Sequence, residues 1–185
     1  MRILAGSYKG RQLSGGHDKS IRPMTSKNKE SIFAILDNFF LNQNVLDLFC
    51  GSGSLGLESL SRGAARTTFV DRNKYSLVVL KENINTLNLE SGRIRIIAGD
   101  VLPYLEKENN SYRLIFADPP FQYDKIQKVV DTVFRYNRLD KEGIMVLHHE
   151  KTNPIHQNER EYRILKQKKT GRSLITFLAK EDINA

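Results

Sequence analysis

Asp118-Pro119-Pro120-Phe121 closes the apolar run Leu114-Ile115-Phe116-Ala117 and sets a carboxylate, a carbonyl and an aromatic ring side by side. Proline has no backbone donor and fixes φ, so a pair of them ends a strand abruptly and stiffens the carbonyl beside it. A carboxylate and a nearby proline carbonyl are two acceptors, enough to grip both protons of an exocyclic amine on a nucleobase. Such an amine is a poor nucleophile because its lone pair is delocalised into the ring. Gripping its protons favours a tetrahedral nitrogen and aims the freed lone pair at an electrophilic carbon. Acceptors already facing the positive charge that develops there act by electrostatic preorganisation. Phe121 can stack on a base taken out of its surroundings, a role that a plain turn does not require.

A second chemical motif lies upstream. Asp47-Leu48-Phe49-Cys50-Gly51-Ser52-Gly53-Ser54-Leu55-Gly56 contains G-x-G-x-x-G between a strand-like and a helix-like segment. Glycines there make a tight turn and let a ligand approach the backbone. Dinucleotide sites share this pattern, so a nicotinamide-dependent oxidoreductase stays open at this point. Asp71 ends the next strand, fifteen residues past Gly56. Its carboxylate can accept two hydrogen bonds from ribose hydroxyls. Asp100 follows the third strand and can accept from an adenine amino group, while the backbone around Val101 meets the ring edge. Each acid could instead cap a helix, but several successive strand ends in one crevice favour a site. A sulfonium methyl donor suits this acidic crevice better than a pyrophosphate, which would want cations. Cys50 fits the turn as a small residue, and no histidine lies in the segment to activate it.

The elements that must position these groups alternate from about residue 45 onward. Strands are expected at Val45–Phe49, Thr67–Val70, Ile94–Ile97, Leu114–Ala117 and Ile144–Leu147. Helices are expected from Leu55 to Leu60, after an Asn73 cap through Leu77, Leu80, Ile84 and Leu87, from Val101 to Leu105, and through Ile126 to Phe134. This alternation implies an α/β fold, a parallel sheet with helices on both faces. The ends differ. Arg2-Ile3-Leu4 and Arg11-Gln12-Leu13 flank Gly6–Gly10 as a small hairpin, followed by a polar loop. Next comes an amphipathic helix, capped by Thr25 or Ser26, with Ile32, Phe33, Leu36, Phe39 and Phe40 on one side. Near the far end, Tyr162–Leu165 and Leu174–Leu178 flank an exposed basic turn, Lys168–Arg172.

The 185 residues carry a net charge of +8, unevenly spread. Residues 1–29 hold +6, residues 30–150 hold −2, and residues 151–180 hold +6. Basic flanks around a near-neutral middle fit a polyanion held by the flanks with chemistry between them. No apolar run approaches the ~20 residues that span a membrane. The N-terminus lacks the long apolar stretch of a secretory signal, so a cytoplasmic location is expected. The single cysteine excludes an intrachain disulfide. His148-His149-Glu150 contains metal-binding residue types, but adjacent strand side chains point oppositely, and no metal is expected.

Met1–Arg11, Arg22-Pro23, Glu30, Phe33, Leu46–Gly53 and Asp118–Phe121 together resemble amino-type S-adenosylmethionine-dependent methyltransferases, whose motif is [DNS]-P-P-[FYW]. More narrowly, they resemble the bacterial family that methylates guanine N2 in small-subunit (16S) ribosomal RNA. The chain departs from that pattern by Met24 between Pro23 and Thr25, and by Lys29 where arginine is common. A lysine keeps the charge but loses the planar fork for phosphate.

The resemblance implies a Rossmann-like, seven-stranded sheet whose last strand is antiparallel, built on residues 26–185. Residues 1–25 then form a basic hairpin and loop extension. It implies S-adenosyl-L-methionine as cofactor, with S-adenosyl-L-homocysteine as product, and one guanine of the ribosomal RNA, in an assembled or assembling 30S subunit, as substrate. A monomer is expected. Asp118, Pro119 and Phe121 are the expected catalytic residues. Asp47, Phe49, Gly51, Gly53, Gly56, Asp71, Asp100 and Val101 are expected around the cofactor. Arg2, Lys9, Arg11, Arg22, Lys168, Lys169 and Arg172 are expected to meet phosphates. The competing readings are an adenine-N6 DNA methyltransferase, which shares the proline lip, and a non-catalytic RNA-binding assembly factor that keeps the fold.

Overall fold

The computed structural model describes residues 1–15 and 24–181. The elements run α1 (Ser26–Leu36), β1 (Asn44–Leu48), α2 (Ser54–Ser61), β2 (Arg66–Asp71), α3 (Lys74–Thr86), β3 (Ile94–Ala98), α4 (Val101–Lys107), β4 (Tyr112–Ala117), α5 (Ile126–Arg135), β5 (Leu139–Glu150), β6 (Tyr162–Thr170) and β7 (Ser173–Lys180). One seven-stranded sheet results, in the order β3-β2-β1-β4-β5-β7-β6. β1 to β5 pair in parallel, and β7 is antiparallel to both β5 and β6. The fold is the expected Rossmann-like α/β arrangement.

Alternation along each strand builds a core on both faces. On β4, Ile115 and Ala117 join Val101, Leu105, Val129 and Val133 of α4 and α5. Leu114 and Phe116 point the other way, toward Phe33 and Leu36 of α1 and Leu55 of α2. Leu77 and Leu80 of α3 meet Leu57, Leu60 and Phe69 on that same side. Thr25 caps α1 by accepting from the Asn28 N–H, and Asn73 caps α3 by accepting from Tyr75 and Ser76.

Two expectations shift. The first helix ends at Leu36, because Asp37 turns to φ 45. Phe40 nevertheless reaches the core, its ring edge-on to Phe33 at 5.7 Å. Apolar periodicity therefore continues past the helix that carries it. At the far end, Lys168 and Lys169 lie on β6 rather than in a turn. Pairing continues to Thr170 opposite Ser173, leaving only Gly171 (φ 57) and Arg172 to reverse the chain.

The amino-terminal segment forms the expected small hairpin, with Arg2 bridged to Gln12 and Ile3 N–H donating to the Arg11 carbonyl. It is docked, not free. Ile3 and Leu13 are buried in the cluster formed by α2 and α3. Glu58 of α2, fully buried, accepts from the backbone N–H groups of Leu4 and Ala5. Its charge is met by Lys29 Nζ at 3.0 Å and Arg62 Nε at 2.9 Å. Lys29 is thus a buried partner of Glu58. Its ammonium also donates to the Arg2 carbonyl and does not face phosphate.

A second buried carboxylate, Glu108, closes α4 against β4. It accepts from the Tyr104 hydroxyl at 2.5 Å, from Arg95 at 2.6 Å and from the Asn109 and Asn110 backbone. Burial pushes this carboxyl up, but those donors and the Arg95 charge outweigh it and hold it down at about 2. A carboxyl depressed on folding stabilises the protein above its unfolded value of 4.5, and that stabilisation is lost as pH falls toward about 2. Thermal unfolding followed from pH 5 to about pH 2 should show this acid loss in the wild type, and a smaller loss in Glu108→Gln.

Candidate active site at the carboxyl edge of the sheet

Register brings the chemical motifs level. Leu48 pairs with Val70 on one side and with Ala117 on the other. Asp71 pairs with Ala98, and Ala117 pairs with Leu147. The residues just past β1, β2, β3 and β4, and those level with them on β5, therefore emerge along a single edge, where open α/β sheets bind ligands.

The glycine loop takes its shape from two aspartates. Phe49 (φ 56), Gly51 (φ 53) and Gly53 (φ 87) turn the chain from β1 into α2. Gly53 occupies the N-cap of α2 and has no side chain to cap it. Asp47, on β1, supplies the missing acceptor: its Oδ2 takes the Gly56 N–H at 2.8 Å. Burial, with the charges of Asp118 and Asp71 adding to it and the Gly56 N–H opposing it, pushes the Asp47 carboxyl up to about 8. Asp71 holds the other side of the loop. Its Oδ2 accepts from the Gly51 N–H and its Oδ1 from the Asn73 N–H, both at 2.8 Å. Neither Asp71 nor Asp100 caps the helix that follows it through its side chain; Asn73 caps α3, and Asp100 makes no cap bond to α4.

The space in front of this loop is open, and acceptors border it. A Cβ built on Gly51 or on Gly99 would meet nothing within 4 Å, so both backbones face open space. Each Asp71 oxygen keeps a lone pair beyond its one backbone bond. Asp100 is exposed and pairs loosely with Arg72 at 3.5 Å. The Val101 side chain is buried in the core, so only its backbone is available to a ligand. Phe49 meets Tyr123 edge-on, with ring centroids 4.9 Å apart. Burial, and the Asp100 charge after it, push the Tyr123 phenol up. Tyr123 therefore borders the crevice, although it lies in an irregular loop with no motif to announce it. Burial also pushes the Cys50 thiol well up, which makes it an inert turn residue.

Asp118, Pro119 and Phe121 form the neighbouring lip. Asp118 is a quarter exposed, and its Oδ1 lies 2.8 Å from His148 Nδ1. The Pro120 carbonyl accepts from Tyr123 N–H, while the Pro119 carbonyl takes no hydrogen bond among the described residues. Phe121 is exposed; its ring and the His148 imidazole form a T-shaped pair, and the Arg172 guanidinium is 5.9 Å from its centroid. His148 contacts this lip, although the sequence marked it only as a metal-binding type; only the pairing of Ala117 with Leu147 sets it level with Asp118. His149 points away and bonds Thr176 Oγ1.

α1 touches both the amino-terminal hairpin and the end of β6. Lys168 bonds Ser31, Thr170 bonds Asn28 at 2.8 Å, and Lys29 reaches the Arg2 carbonyl. Arg2, Lys9, Arg11, Lys168, Lys169 and Arg172 are all exposed. Arg22 lies outside the described residues.

The family model described as conserved hypothetical protein 95 matches residues 1–179. YlbH of Bacillus subtilis is 38% identical over 153 residues, which is 82% of this chain and 83% of that one. The Haemophilus influenzae protein named ribosomal RNA small subunit methyltransferase D is 32% identical over 173 residues, covering 92% and 89%. The solved structure of yhhF from Escherichia coli superposes with a TM-score of 0.87 at 25% identity, covering 98% of each chain.

Two substitutions test the loop. A Cβ at Gly56 would lie 2.3 Å from the Phe69 ring and 2.9 Å from Asp47 Oδ2, so Gly56→Ala should destabilise by about 1–3 kcal/mol in denaturant unfolding. Asp47 binds its proton more tightly folded than unfolded. Its contribution is therefore full below the unfolded value of 3.8 and lost as pH rises through about 8. Asp47→Asn keeps an acceptor for Gly56 without that proton, and the fall in the ligand-free protein's thermal midpoint between pH 5 and 9 should flatten.

Proposed function

The chain belongs to the conserved hypothetical protein 95 family, and on that premise we propose that it methylates the exocyclic N2 amine of one guanine in small-subunit ribosomal RNA. It is a ribosomal RNA methyltransferase, and its methyl donor is S-adenosyl-L-methionine. The observation that carries the finer reading is the acceptor lip Asp118-Pro119-Pro120-Phe121, level with the Asp71, Asp100 and glycine-loop positions on one sheet edge.

Asp71 would take the ribose hydroxyls of the donor, and Asp100 with the Val101 backbone its adenine. The turn from Phe49 through Gly51 and Gly53 to Gly56, held by Asp47, would line its methionine part. When bound, the donor supplies a sulfonium methyl carbon. Asp118 and the Pro119 carbonyl then hold the two protons of the guanine amine, which turns the nitrogen lone pair toward that carbon. Asp118 would also face the proton that the nitrogen must release as it takes the methyl group, the donor's sulfur keeping the electron pair of the bond that is lost. Both acceptors are in place before charge develops, the condition under which they lower the barrier. Phe121 offers its exposed face to the unstacked base. The exposed basic groups of the hairpin and of β6, on either side of α1, offer sites for RNA phosphates.

Guanine rather than adenine is favoured by the amino-terminal segment that carries the family resemblance. Its docking on Glu58 sets Arg2, Lys9 and Arg11 in fixed positions on the surface. An assembled or assembling 30S subunit is the proposed form of the substrate.

The test is methyl transfer from labelled S-adenosyl-L-methionine to small subunits, and separately to deproteinised small-subunit RNA, both lacking the mark. Nucleoside analysis should return N2-methylguanosine; N6-methyladenosine would overturn the assignment. Asp118→Ala should lower kcat by about 10²–10³ while donor binding changes little. Wild-type turnover in that variant would refute the role given to Asp118.

A further inference from the structure

Asp118 does not stand alone on its lip. Because Ala117 and Leu147 are in register, the next residues, Asp118 and His148, emerge side by side from β4 and β5. The His148 side chain is only 10% exposed, and its Nδ1 lies 2.8 Å from Asp118 Oδ1. An ionised carboxylate can only accept, so Nδ1 carries the hydrogen of this bond. The same imidazole meets the Phe121 ring in a T-shaped arrangement, with centroids 6.2 Å apart and planes at 69°. Arg172 also lies against that ring. His148 therefore touches both side chains that the lip offers to a base.

We propose that His148 is a positioning residue for methyl transfer, an inference that rests on the function proposed above. Its Nδ1–H occupies one oxygen of Asp118 and stops the carboxylate from rotating about its terminal bond. Oδ2 is then left to hold one proton of the target amine, with the Pro119 carbonyl on the other. Contact with Phe121 fixes the angle between the stacking ring and that acceptor. The substrate-facing end is thus a connected unit, Asp118–His148–Phe121–Arg172, contributed by β4, β5 and the β6–β7 turn. His149 has no share in it, since its ring is engaged by Thr176 and the Asn153 carbonyl on the opposite side of the strand. A group that steers an acceptor without touching substrate acts on turnover more than on binding.

Steady-state kinetics on unmethylated small subunits separate the possibilities. His148→Leu should lower kcat by about 10- to 100-fold, the range seen when outer-shell partners of a functional group are removed. The RNA KM and the donor Kd, read by calorimetry, should stay within about twofold. His148→Asn places an amide N–H close to the position of Nδ1 and should recover kcat to within about threefold of wild type. His148→Gln places its amide near Nε2, out of reach of Asp118, and should be as slow as the leucine variant. It carries the comparison should leucine not fold. A leucine variant, or in its place a glutamine variant, with kcat within about twofold of wild type would overturn the proposal. So would an asparagine variant no faster than glutamine. In either case an active wild type leaves the methyltransferase reading standing; a wild type inactive both on these subunits and on deproteinised small-subunit RNA would overturn both.

Discussion

Near the end of the interior strand β1, Asp47 is almost wholly removed from water, and one of its oxygens holds the Gly56 N–H of α2. Carboxyl burial is costly unless the group is hydrogen-bonded or neutralised. Here it is both bonded and pushed toward the protonated form by burial. The arrangement follows from the loop's own requirement. A turn this tight needs Gly53 at φ 87, and a glycine N-cap has no side chain to satisfy the first turn of α2. An acceptor must then come from elsewhere, and the adjoining strand provides it. Gly56 has to be glycine for the same reason, because a Cβ would collide with that acceptor and with Phe69. The entry of α2 and the path of the loop into it follow from this one bond.

Around it the remaining groups reinforce one another. Asp71 binds the loop from β2 and thereby stands where the second strand end meets the crevice. Glu58, two residues past Gly56 on α2, carries the Lys29 and Arg62 charges and pins the amino-terminal hairpin to the same helix. Asn83 of α3 joins the two, donating to the Ser52 carbonyl in the glycine loop and exchanging bonds with Ser14 of the extension. The basic hairpin and the glycine loop are therefore parts of one packed unit, tied together through α2 and α3.

What could be read from the sequence was whatever a backbone geometry demands of particular residue types. Glycines for a tight turn, prolines that stop a strand, Asn73 as a cap and strands with alternating faces all declare themselves locally. Contacts made by register do not. His148 meets Asp118 only because β4 and β5 pair Ala117 with Leu147, a fact about two distant segments. Tyr123 reaches Phe49 from an irregular loop, and the burial of Lys29 depends on a glutamate 29 residues away. Phe40 shows the reverse error: its apolar character was read correctly as core, but the helix assigned to carry it stops four residues earlier, at Leu36. The sequence marked Asp47 and Asp71 as acids expected around a cofactor, but their structural share, holding Gly56 and Gly51, was not legible there.

β6 is an outer strand of the sheet, nine residues long and paired to β7; among the described residues its start is also met by the Asn158 bridge to Tyr162 and by Gln157, which accepts from the Ile164 N–H, and its exposed side chains include Leu165. A long open edge with an exposed leucine is a template on which another chain can add a strand. Lys166, Lys168 and Lys169 stand along it, and the register slips between Ile164 and Lys166. A second copy approaching that edge would have to set lysine against lysine across an irregular ladder. Those lysines disfavour the pairing of this edge with a second copy of itself.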